Sequence, residues 1–84
     1  MPYIKLSKRG ELDGLIKDLA ARVEEEGELN YCFYKLSTEL IARVGESYAK
    51  LAMCSSAMEH AKLEWYRRRL SPYEDKKIKE NGDI

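Results

Sequence analysis

YAKLAMCSSAMEHAKLEWYRRRL, residues 48–70, is the stretch on which the fold turns. No other segment has that length or mixes apolar, aromatic and charged residues so closely. Ser47 is a natural N-cap for a helix beginning at Tyr48, and Ser71-Pro72 reads as its stop. Such a helix is about 35 Å long at 1.5 Å per residue. With Leu51 set at zero and about 100° per residue, Cys54, Met58, Ala61 and Trp65 fall on one flank. Ala52, Leu63 and Leu70 fall on the other. Between them runs a polar row, Ser55, Glu59, Lys62, Tyr66 and Arg69. Polar groups taken into an apolar face need partners, since stranding one costs on the order of 1–3 kcal/mol. Two readings follow. In one, Glu59 and Lys62 pair and the long cations run past apolar neighbours to water, as in a subunit interface. In the other, the row lines a pocket. Lys62 and Arg69 would then meet an anion, Tyr66 and Trp65 would supply aromatic surface, and Ser55 and Glu59 would fix polarity.

The rest of the chain is too short to cover that helix. Eighty-four residues make one domain, and a chain of this size buries only about 60–65% of its unfolded surface. Disulfides, a metal or self-association are the usual remedies. Cys32 and Cys54 sit among apolar residues, as free thiols in a reducing compartment do. Self-association is the remedy left, in a cytoplasmic setting. The 15 basic and 15 acidic residues balance, which argues against a globally basic nucleic-acid binder. No apolar run has the length of a signal peptide or a membrane span.

Two shorter helices precede the long one. Residues 1–7 read as an extended arm, packed on its own domain or exchanged with a second subunit. The spacing of Leu12, Leu15, Ile16, Leu19 and Val23 predicts a helix over about 13–26, capped by Asp13, with Ser7 as a competing start and Gly27 as its end. Glu24-Glu25-Glu26 would then lie at its C-terminal end, where the helix dipole disfavours negative charge. That places it as a solvated helix end, or as a site for a cation or basic partner. A second helix is expected over about 30–44, ended by Gly45, with Leu29, Phe33, Leu36, Leu40 and Val44 as its stripe. Tyr31, Tyr34 and Thr38 cluster on its other side, as a packing surface or a binding face. Tyr73–Ile84 is a polar tail, taken as ordered, with a tight turn at Asn81-Gly82. Its Glu74-Asp75 would fold back on Arg67-Arg68-Arg69 and neutralise them.

Chemistry-bearing motifs are few. His60 and Cys54 lie about 240° apart on the helix wheel and cannot share a metal. No pairing for nucleophilic catalysis and no glycine-rich phosphate loop can be drawn. Glu25-x-x-Glu28 has the spacing of a magnesium motif of helical pyrophosphohydrolases, but Gly27 interrupts it and no E-x-x-D follows. An enzyme is the weaker class, with no catalytic residue, metal or cofactor assigned.

Gly27-Glu28-Leu29-Asn30-Tyr31, Ala61-Lys62-Leu63-Glu64, Tyr66-Arg67-Arg68, Pro72-Tyr73-Glu74-Asp75-Lys76-Lys77 and Glu80-Asn81-Gly82-Asp83 carry a resemblance, together with the opening Met1-Pro2-Tyr3-Ile4. They resemble a family of short uncharacterised proteins from tailed phages, prophages and bacteria. The resemblance implies provenance rather than chemistry. In size and helix order the chain is also similar to small helical phage proteins that assemble and sequester the cyclic nucleotide signals of bacterial immunity.

These readings converge on an all-α homo-oligomer with no enzymatic activity, expected to capture a small anionic ligand such as a cyclic or other nucleotide. The ligand residues would be Lys62, Arg69, Tyr66, Glu59 and Ser55, with Tyr31 and Tyr34 for stacking. The alternatives are an interaction protein that docks on a host or phage protein, and local nucleic-acid binding through Arg67–Arg69.

Overall fold

Glu28 decides where the second helix begins. Its carboxylate accepts the backbone N–H groups of Glu24 and Glu25, each at 3.0 Å. This is the reciprocal half of a capping box, and it satisfies donors that a helix N-terminus leaves open. The computed structural model describes residues 4–84. Those residues form three helices and no strand: α1 (Leu6–Ala20), α2 (Glu26–Val44) and a long third helix. The third consists of α3 (Tyr48–Trp65), a π-helical turn (Tyr66–Leu70) and α4 (Ser71–Asn81).

The all-helical reading and the three-helix order hold, but several boundaries move. α1 lies some seven residues earlier than its stripe suggested, so Asp13 is interior and Ser7 is in its first turn. Of the extended arm, only Ile4 and Lys5 are described and lie outside the helix, while Met1–Tyr3 are outside the described residues. Gly27 is in the first turn of α2 rather than the end of α1. The acidic run is therefore at a helix N-terminus, where the dipole favours it. It is not a mismatched helix end; the mismatch came from a misplaced boundary.

Gly45 ends α2 as expected. It has φ +93° and donates its N–H to the carbonyl of Ile41 at 2.8 Å. Ser47 caps α3, its hydroxyl accepting the Lys50 N–H at 3.2 Å. Lys50 also donates its ammonium to the carbonyl of Val44 at 2.6 Å, holding the last turn of α2 against the first of α3. A cation on a helix C-terminus is favoured by the dipole. Around this connection Leu40, Ile41, Val44 and Cys54 are half-buried, the nearest the chain comes to a core.

Pro72 does not stop the long helix. The ladder changes register just before it: the Ser71 N–H reaches back five residues to the carbonyl of Tyr66. The proline then falls in the first turn of α4, where the donor it lacks coincides with the change of register. The polar tail is thus mostly helix, and Gly82, at φ +86°, ends it with an N–H to Ile78 at 2.8 Å. This helix of 34 residues accounts for the 51 Å long axis of the molecule.

Among the described residues none is buried. The chain exposes 7876 Å², where a compact protein of 9.8 kDa exposes about 5,200 Å². Its radius of gyration is 16.3 Å, against about 12 Å for a compact chain of this length. α1 packs against no other helix of the described residues.

Candidate ligand and assembly surface

The polar row of the long helix is divided into local pairs. Lys62 lies 3.5 Å from Glu59, the expected i, i+3 pair, with both side chains well exposed. Ser55 is exposed in the first half of α3. The row does not continue in phase past Tyr66, because the π turn adds residues to one turn and rotates everything beyond it. Arg69 accordingly belongs with a flank residue: its guanidinium sits over the Trp65 ring, 5.2 Å from the centroid. A guanidinium at that distance is attracted by the ring's negative face.

Tyr66 pairs with neither cation. The charge of Glu74, and a hydrogen bond to it, hold the phenol above its ordinary value, with a smaller contribution from Asp75. The acidic start of α4 therefore meets Tyr66, not the arginine run. The arginines are answered from the other direction. Arg67 donates to both oxygens of Glu64 at 3.0 Å, and Arg68 lies 2.6 Å from the same carboxylate. Glu64, half-buried, thus takes two of the three consecutive arginines. That residue was not among the predicted site residues. Its i+3 and i+4 spacing to Arg67 and Arg68 was the available signal.

Ala61, Glu64, Trp65, Arg68 and Arg69 line a shallow, open depression of about 310 Å³. A second one, of about 560 Å³, follows α4 past Leu70, Tyr73, Lys77, Ile78 and Ile84. There Lys77 lies over the Tyr73 ring at 5.6 Å and pairs with Glu80 at 3.0 Å. Tyr31 and Tyr34 are exposed on α2, and Tyr34 shares a face with the half-buried Ile41 two turns on. The structure thus forms two separate pairs on neighbouring turns, Glu59 with Lys62 and Trp65 with Arg69, sets Tyr66 toward α4, and leaves the α2 tyrosines on another element. Both cysteines are free and half-buried. No helix is long and apolar enough to cross a membrane among the described residues.

Residues 1–84 match the family model described as "Domain of unknown function (DUF6899)", and the chain belongs to that family. No curated protein and no solved structure matches it.

Proposed function

We propose that this member of the family is a non-enzymatic binding protein that works as a homo-oligomer and captures a small anionic ligand of nucleotide chemistry at the Trp65–Arg69 turn. One observation carries the ligand reading. Glu64 pairs with Arg67 and Arg68, but among the described residues no carboxylate pairs with Arg69, which rests on the only tryptophan of the chain. A guanidinium beside an aromatic face supplies two things a nucleotide needs, a planar donor for phosphate and a surface for the base. Lys62, one turn earlier, adds a second cation, held only by an exposed pair with Glu59 that contributes little in water. Binding without turnover would lower the free concentration of such a ligand. That is the role of the phage proteins that sequester nucleotide signals, to which the chain is similar in size and helix order.

A second reading is an interaction protein that docks on a host or phage protein and takes no small ligand. The openness of both surface depressions and the extent of exposed apolar side chain favour it. A third reading, nucleic-acid binding through Arg67–Arg69, would use a run in which Glu64 already pairs with two of the three arginines.

Trp65 reports on its own site. Linear and cyclic adenosine and guanosine nucleotides, titrated into the intact protein, are expected to quench its fluorescence, and at saturation one of them should raise Tm by several degrees. Arg69→Ala should lose both effects, and Lys62→Ala should weaken them about tenfold, the loss of one charge-assisted contact. If no probe changes either signal, or Arg69→Ala binds like the parent, the ligand reading fails and docking stands.

A further inference from the structure

The first helix has no partner within its own chain. α1 is 15 residues long and contains Gly10 and Gly14, each about 1 kcal/mol worse than alanine in a helix interior. A helix of that length and composition is marginal alone in water. Leu12, Leu15, Ile16 and Leu19 fall within about 100° of its circumference. All four are exposed, Leu15 at 69% and Ile16 at 59%. A helix that leaves such a stripe in water needs a surface to cover it.

In the structure that surface is not the chain's own, for α1 packs on no other helix of the described residues, and the link to α2 is locally bonded. Each of its five backbone N–H groups is taken. Ala21 donates to the carbonyl of Lys17, Arg22 to Leu19 and Val23 to Ala20, while Glu24 and Glu25 donate to the Glu28 carboxylate. Arg22 also returns its guanidinium to the carbonyl of Asp18 at 2.7 Å. The link is hydrogen-bonded into α1 at one end and into the α2 cap at the other.

A matching surface lies open on α2. Leu29, Phe33 and Leu36 continue its stripe beyond the half-buried Leu40 and Val44, with Phe33 exposed at 51% and Leu36 at 70%. Leu12 and Leu19, like Leu29 and Leu36, are seven residues apart, about 10 Å along a helix axis. The chain exposes about 2,700 Å² more than a compact protein of its mass. If two copies cover that excess, the interface falls in the class of obligate homodimers, roughly 2,000–5,000 Å² or more in total. The net charge of +0 puts no global repulsion between copies.

We propose that α1 docks through Leu12, Leu15, Ile16 and Leu19 on the Leu29–Phe33–Leu36 face of α2 in a second copy, which returns its own α1 in exchange. This rests on the homo-oligomer of the preceding section and adds to it the surface and the partner. The exchange is reciprocal, so it closes at a symmetric dimer.

The test uses two co-expressed full-length chains with different tags, both carrying Cys32→Ser and Cys54→Ser. One has Ile16→Cys and the other Phe33→Cys. Oxidation is expected to join unlike tags in the majority of the material, and native mass spectrometry of the unaltered protein should show more than one chain. An unaltered protein that is multimeric, with no cross-link between unlike tags, would overturn the exchange and leave the oligomer standing. A monomer would overturn both. A single chain carrying both new cysteines that closes on itself at high dilution would place α1 on its own α2, against the proposal. If the cysteine-free background fails to fold, Leu15→Lys with Ile16→Lys decides. Those changes should reduce the native mass to one chain while α2 and α3, joined at the Ser47 cap, keep their helical circular dichroism, and an unchanged mass would refute the docking.

Discussion

Two junctions of this chain carry residues that break helices, and only one of them breaks a helix. At Gly45–Ser47, a glycine at φ +93° closes α2, a serine hydroxyl opens α3, and Lys50 bridges the gap to the Val44 carbonyl. At Tyr66–Pro72, the chain absorbs a proline inside a continuous helix by letting one turn widen to the π register. The difference is in how the orphaned backbone groups are met. A stop needs a conformation that turns the chain and new partners for the open N–H and C=O groups. A proline supplies neither. It only deletes one donor and crowds one carbonyl, which a change of register accommodates.

The first way to break that comparison is to remove the turn. Gly45→Ala keeps the space, for nothing lies within 4 Å of the added methyl group, so any cost is backbone strain at a positive φ. That cost is on the order of 2 kcal/mol, and chemical denaturation should show it as a lower midpoint at unchanged slope. A loss below a few tenths of a kcal/mol would mean that the connection is free to rearrange. The second change acts on the other junction with the opposite sign. Pro72→Ala restores the missing donor and lets the Tyr66–Leu70 turn relax to α. Alanine is favoured over proline by about 3 kcal/mol in a helix interior, and the π turn already recovers part of this, so a gain on the order of 1 kcal/mol is expected. The relaxed helix would carry α4 round by roughly one residue's rotation, about 100°, taking Glu74 from Tyr66. The phenol should then titrate nearer its ordinary value. A destabilised Pro72→Ala, or a Tyr66 titration that does not move, would show that the π turn has another cause.

The same contrast explains what the sequence disclosed. The Gly45 stop and the Ser47 start were readable because their chemistry is local: a residue that tolerates positive φ, and a hydroxyl three residues before the N–H it accepts. The lower limit of α2 was missed because Glu28 caps backward across a glycine that also looks like a helix end. The π turn was missed because proline is a stop signal in most helices, and nothing in Tyr66–Leu70 marks a change of register. That one miss also decided the candidate site. The row from Ser55 to Arg69 presumed an unbroken 100° step, and it holds as far as the Glu59–Lys62 pair. Beyond Tyr66 it fails, so the tyrosine turns to Glu74 and the arginine to Trp65.

The smallest effect compares the two N-caps with each other, since one of them titrates. The N–H groups of Glu24 and, less strongly, Glu25 hold the Glu28 carboxyl below its ordinary value of 4.5. A carboxyl whose pKa is lower folded than unfolded stabilises the fold above the unfolded value. That contribution is lost as pH falls through the folded value. Glu28→Gln keeps an acceptor oxygen for the cap but removes the titration. Its Tm should therefore sit a little below that of the parent at pH 7, and the gap should close as pH falls below about 4. Glu28→Ala loses the cap as well and should fall a few degrees at neutral pH. Ser47→Ala loses about 1 kcal/mol at every pH, because a hydroxyl carries no charge to lose. If the Glu28→Gln and parent curves run parallel from pH 7 to pH 3, the link before α2 is not held by this carboxylate. The link between α1 and α2 would then lose one of its two hydrogen-bonded ends.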